Sequence, residues 1–293
     1  VLNRTGRVLT RFGAELIIED ETGRRLRCTA RRRLQDVVCG DHVTWTPSDS
    51  GNHVVTGIEP RRNLLERVDP RGQRRAVAAN IDQVVLIIAR QPPPQWPLVD
   101  RYLVAIEALE ARAVIVMNKV DLEEAAPGSD DTGQMESLYR DLGYPMLHTS
   151  AATGAGLGEL RARLAGLTSI LLGQSGVGKS SLIKALLPDE DLRIGALSEG
   201  TGEGRHTTTA ATLYHLPDGG DLIDSPGVRD FTPPPLQAEA LAHGFVEFRP
   251  HLGQCRFHNC VHDREPGCAI KAAVDAGEIS EPRYKSYLAL KRS

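Results

Sequence analysis

Residues Gly173–Ser180 read GQSGVGKS, and this run limits the possible folds more than any other part of the chain. It fits G-x-x-x-x-G-K-S, whose glycines let the backbone curl until several N–H groups point at one anion. The pattern works between a strand and a helix, because the helix must start where the phosphate sits and turn its positive end toward it. The flanks agree. Ser169–Leu172 is a short apolar run of strand type, and Lys179–Leu187 is spaced as a helix. Lys179 is then placed to neutralise the β- and γ-phosphates, and Ser180 to put its hydroxyl on Mg²⁺. Around such a loop a doubly wound, mainly parallel sheet is expected.

Other runs extend the site. Asp82–Ala89 and Ala113–Met117 are continuous apolar strands, and Leu98–Ala111 is helical, with Leu103, Ile106, Ala108 and Leu109 as its apolar side. Asn118-Lys119-Val120-Asp121 follows the second strand, and Ser150-Ala151 follows the short strand Met146–His148. A carboxylate at Asp121 accepts from guanine N1–H and the 2-amino group, donors that adenine lacks there. Lys119 would cover the base, Asn118 would tie its loop to the phosphate loop, and Ser150-Ala151 would offer a backbone N–H to the guanine oxygen. Asp224-Ser225-Pro226-Gly227 fits D-x-x-G, in which Asp224 holds Mg²⁺ through water and the Gly227 N–H meets the γ-phosphate. Gly200–Thr209, GTGEGRHTTT, suits a switch loop, with Thr207 or Thr208 completing the Mg²⁺ shell. Val228 stands where a water-orienting Gln is common, so His206 is the candidate general base or orienter.

The base-reading motifs precede the phosphate motifs, the reverse of the ordinary order. A circular permutation of the domain accounts for this, because domain termini commonly lie close together. It also sets the switch region directly before the C-terminal unit, with residues 228–250 as the path between them.

The flanking segments differ in kind. Residues 1–65 alternate in short runs (Gly6–Leu9, Glu15–Glu19, Arg24–Thr29, His42–Thr46 and Val54–Ile58), as in a small OB-type barrel. Net charge is −3, yet nine Arg face five acids in residues 1–40 and six Arg face two acids in residues 61–75. Such clusters suit an RNA-binding face. Residues 76–235 form the central domain and 236–293 a small helical unit. There Cys255, Cys260, His262 and Cys268 make a Cys₃His set for structural Zn²⁺, with His258 and His251 as rival nitrogen ligands. Such a metal would staple a unit with little apolar core. Cys28 and Cys39 are isolated and expected in cores. No run approaches a membrane span, no secretory signal is visible, and no heptad seam is present, so a cytoplasmic monomer is expected.

The permuted order, the Arg-rich barrel and the Cys₃His tail together resemble the ribosome small-subunit-dependent GTPase A family of bacteria. The resemblance rests on GQSGVGKSSL at 173–182, GRHTTT at 204–209, DSPGVRDF at 224–231 and C-x₄-C-x-H-x₅-C at 255–268. It implies an OB-fold, a circularly permuted GTPase domain and a zinc domain. It implies GTP hydrolysis stimulated by the small ribosomal subunit, late in that subunit's maturation. It carries GTP binding onto Gly173, Gln174, Ser175, Gly176, Val177, Gly178, Lys179, Ser180 and Ser181, and onto Asn118–Asp121. It favours His262 over His258 as the zinc ligand and matches His206 to the family's hydrolytic histidine. Two other readings are a P-loop kinase or ATPase, which Asp121 opposes, and a GTP-switched RNA-binding module acting on another RNA.

Overall fold

A computed structural model of the chain describes residues 4–31, 34, 36–48, 52–69, 71–122, 131–187, 211–225 and 233–292. Alternating side chains form the N-terminal strands β1 (Arg4–Phe12), β2 (Glu15–Asp20), β3 (Arg25–Ala30), β4 (His42–Thr46) and β5 (His53–Ile58). They run β1-β2-β3-β5-β4, and β4 pairs back onto β1, with Arg4 opposite Trp45. This closes the expected five-stranded barrel and removes its free edges. Val8, Leu16, Ile18, Cys28, Val43 and Trp45 fill it.

The next hairpin, β6 (Leu64–Val68) and β7 (Arg74–Ala79), was not anticipated; only its arginines were read. Asp69 builds its turn, accepting the N–H groups of Arg71 and Gln73 at 2.9 Å each. Ala78 bridges to Cys39, which is buried as expected.

The central sheet holds β8 (Gln83–Ala89), β9 (Arg112–Asn118), β10 (Met146–His148), β11 (Thr168–Gly173), β12 (Thr212–His215) and β13 (Asp221–Asp224). Their order is β10-β9-β8-β11-β13-β12, parallel except for β12. Helices α1 (Trp96–Ala108) and α2 (Asp131–Asp141) cover one face, α3 (Leu157–Leu164) and α4 (Lys179–Leu186) the other. Strand β8 explains its own apolar run: Val84, Leu86 and Ile88 face the first pair, Val85, Ile87 and Ala89 the second. Helix α1 starts before Leu98 because Pro97 is tolerated in a first turn. Ala108, expected on its apolar side, is exposed at the helix end. A single pairing, Thr10 with Thr212, joins β1 to β12, so barrel and central strands make one eleven-stranded sheet.

The C-terminal unit comprises α5 (Ala238–Gly244), a 3₁₀ turn (Val246–His251), α6 (Ala269–Asp275) and α7 (Glu281–Lys291). The expectation of little apolar core needs correction. Phe245, Phe248, Ile270, Ile279 and Tyr287 are buried together with Val104 of α1. The unit gains a core by borrowing one face of a neighbouring helix. No helix among the described residues is long and apolar enough to cross a membrane.

Candidate nucleotide site and metal centre

The chain leaves β8 toward β9 and β10, then returns through α3 to β11 on the other side of β8. A crevice opens at such a reversal, at the carboxyl ends of the strands. Asn118 ends β9, Gly173 ends β11, Asp224 ends β13, and Ser150 follows β10. The topology thus gathers motifs that are far apart in sequence.

Two glycines shape the phosphate loop. Gly173 has φ +146°, and a Cβ there would lie 2.2 Å from the Ile87 carbonyl oxygen. Gly178 has φ +97°, and a Cβ there would lie 2.4 Å from Asn118 Nδ2. Only glycine tolerates both the backbone and the approach. Val177 is buried beneath the loop, while Ser175, Gly176, Ser180 and Ser181 are exposed and Gln174 is half-buried. Lys179 Nζ donates to the carbonyl oxygens of Gly173 and Gln174. Both of these acceptors are neutral, and a charged phosphate oxygen is a stronger acceptor for that ammonium.

Asn118 is buried and joins three motifs. Its Nδ2 donates to the Val177 carbonyl at 2.9 Å, and its Oδ1 accepts from Thr149 Oγ1 at 3.1 Å. Thr149 N–H in turn donates to Met117 O at 2.8 Å. One carboxamide therefore fixes the phosphate loop against the loops that carry Lys119 and Ser150. Lys119 has φ +60° and donates from Nζ to Gln91 O at 2.8 Å. Asp121 is exposed at the crevice rim. The Ser150 N–H is spent on Ala155 O at 3.0 Å, while the Ala151 N–H has no acceptor among the described residues. Of that pair, Ala151 holds the available donor. Asp224 is half-buried opposite Thr212. His206, Thr207, Thr208, Gly227 and Val228 lie outside the described residues.

The second centre is built by the loop before α6. One ligand atom from each of Cys255, Cys260, His262 and Cys268 lies within 4.8 Å of the others. His262 Nδ1 sits 3.5 Å from the sulfurs of Cys255 and Cys268, which are 4.0 Å apart. Tetrahedral zinc with ordinary bond lengths asks for about 3.5 Å between nitrogen and sulfur and about 3.8 Å between sulfurs. The set fits Zn²⁺, and His258 stays exposed outside it.

Sequence reasoning missed what holds this loop. The Glu265 carboxylate accepts from the N–H groups of Asp263, Arg264 and Val261, at 2.9, 3.1 and 3.2 Å. Those amides, led by that of Asp263, hold its pKa down at about 2. The carboxylate wraps the backbone around His262, whose φ is +55°. From α7, Tyr284 and Tyr287 donate to the carbonyls of His262 and Val261, both at 2.9 Å. Thr149 was also missed as the residue orienting Asn118. Its position beside Ser150-Ala151 was the available signal.

The RsgA GTPase family model matches residues 58–233. The small ribosomal subunit biogenesis GTPase RsgA of Chromohalobacter salexigens is 49% identical, covering 97% of this chain and 84% of that protein. The protein of the same name from Hahella chejuensis is 46% identical, covering 98% and 84%. The crystal structure of YjeQ from Thermotoga maritima superposes with a TM-score of 0.78 at 35% identity, covering 99% of this chain and 98% of that one. YloQ, described as a circularly permuted GTPase, superposes with a TM-score of 0.74 at 26% identity, covering 99% and 94%.

Proposed function

The chain belongs to the RsgA GTPase family, and from that membership we propose that it binds the small ribosomal subunit and hydrolyses GTP to GDP and phosphate during late maturation of that subunit. The observation that carries this reading is the Asn118 side chain, which locks the base-reading loops to the phosphate loop in one crevice. In this reading Asp121 selects guanine, the Ala151 N–H meets its oxygen, and Lys119 covers the ring. The amides of Gly173–Ser181 and the Lys179 ammonium hold the phosphates. Ser180 and Asp224 offer the hard oxygens that suit Mg²⁺, with Thr208 as the further ligand. That ion would offset charge on the phosphate oxygens. Gly227 reads the γ-phosphate, and His206 orients or deprotonates the attacking water. Catalysis of this kind is largely positioning and electrostatics.

The barrel of residues 1–65 presents the RNA-binding face, residues 76–235 turn over GTP, and residues 236–293 hold one structural zinc. The protein works as a cytoplasmic monomer. GTP turnover with purified small subunits, and with large subunits as control, tests the partner. Stimulation by small subunits alone is expected, and equal rates with both would send the search to another RNA. Asp121→Asn tests the base assignment: affinity should move from guanosine to xanthosine nucleotides, and unchanged guanosine affinity would remove Asp121 from the site.

A further inference from the structure

We propose that Arg7, Glu19, His215 and Asp221 form a clamp that carries the barrel's RNA-bound state to the two strands bearing the phosphate-side motifs, with His215 as a positioning residue for the stimulated hydrolysis of GTP and not for the basal reaction. The proposal rests on the reading of the barrel as the RNA-binding unit.

The clamp sits at the opposite end of the central sheet from the nucleotide crevice. Thr168 opens β11, and Asp221 opens β13 beside it in register. The far ends of the same two strands are Gly173 and Asp224. From Asp221 to Asp224 is three residues, about 10 Å of extended chain. Arg7, on β1 of the barrel, grips both openings: its guanidinium pairs with Asp221 and donates from Nη2 to Thr168 Oγ1 at 2.7 Å. Thr168 is itself held by Asp82, whose Oδ2 accepts its N–H at 2.9 Å. Arg7 Nε is buried and has no acceptor among the described residues. A buried donor left unpaired marks a contact that a small shift of β1 would change.

His215 closes the clamp from β12. Its Nδ1 lies 2.7 Å from Asp221 Oδ1, and its Nε2 lies 2.8 Å from Glu19 Oε2 on β2 of the barrel. Two carboxylates on one imidazole require both ring nitrogens to donate, and only the protonated ring does so. Asp221 first, then Glu19, hold the pKa of His215 above its ordinary value, against partial burial. The charged groups around the ring are Glu19 and Arg7 from the barrel, Arg25 opposite Glu19 on β3, and Asp221 from β13. A pull on the barrel acts through this ring on a four-residue strand that ends at Asp224.

Coupling between two sites is reciprocal. The His215 ring, titrated by NMR in the full-length wild-type protein, should change its proton affinity at least about threefold between the GDP-bound and non-hydrolysable GTP-analogue-bound states. Identical titrations in the two states would overturn the clamp. In turnover assays, His215→Gln should keep basal hydrolysis within about twofold and still co-sediment with small subunits, but lose about tenfold of the stimulation. Wild-type stimulation should decline as pH rises through the raised pKa of His215, and the variant's should stay flat. A variant stimulated like wild type with the same pH profile would also overturn the proposal. If small subunits fail to stimulate even the wild type, the partner assignment falls, and the NMR titration still decides the clamp on its own.

Discussion

The GTPase sheet is gripped from two sides, and the two grips are built differently. On the C-terminal side, Arg283 of α7 is fully buried. It donates to Asp100 of α1 at 2.6 Å and to Glu247 at 2.6 and 3.0 Å, and its guanidinium lies over the Phe245 ring at 4.5 Å. Tyr139 of α2 donates to the same Asp100 at 2.6 Å. Phe245, Phe248 and Tyr287 seal the network. On the barrel side, Arg7, Asp221, His215 and Glu19 make a comparable set of charges at 16–40% side-chain exposure. Water enters the second grip and is excluded from the first. The C-terminal unit is therefore fixed to the α1 face, and the barrel is held by contacts that titrate and can be re-formed.

Breaking each grip in turn tests that difference. Arg283→Met leaves Asp100 and Glu247 buried without their cation, which costs about 3–5 kcal/mol. Hydrogen exchange should show α7 opening while the barrel stays protected; equal loosening of both would contradict the contrast. Gly244→Ala is next. Its Cβ would lie 2.7 Å from Val104 Cγ1, so α5 must move off α1, at about 1–3 kcal/mol. Urea unfolding followed at the C-terminal unit reads this directly.

The barrel grip should cost less. Arg7→Met removes a partly exposed pair, and about 1 kcal/mol is expected, confined to barrel docking. The smallest effect is that of pH. The folded pKa of His215 is raised, so its contribution is complete below about 6.5 and fades as pH rises through the folded value. Burial works against the Asp221 charge, but His215 and Arg7 hold its pKa below the ordinary value. Its contribution is present above about 3.9 and is lost as pH falls through the depressed folded value. Barrel docking should therefore peak between those limits, with a swing under about 1 kcal/mol after screening by water. Limited proteolysis between barrel and central domain, at several pH values, checks it. A pH-independent cleavage rate would mean that the ring carries no docking energy.

Legibility in the sequence followed the nature of the constraint. Strands β8, β9 and β11 could be read because burial on both faces forces an apolar run. The phosphate loop could be read because close approach to Ile87 and Asn118 admits only glycine. Helix α2 was missed because Gly133 and its acids mask the Met135, Leu138 and Tyr139 spacing that buries it. The β6–β7 hairpin was missed because its turn depends on the Asp69 side chain, and its arginines looked like surface charge.

The sequence by itself determined the motifs, their permuted order, the five short strands of the barrel and the three cysteines of the ligand set. Each of these is set by local backbone geometry or by the chemistry of a short run. The tertiary structure alone decided that Asn118 reaches Val177, that Arg283 meets Asp100, and that Arg7 and His215 reach Asp221. These contacts span up to 214 residues of chain, as Arg7 and Asp221 do. Ion pairs leave no periodicity in a sequence, because any nearby opposite charge would satisfy the same residue. Which charge is nearby follows only from how the sheets and helices pack.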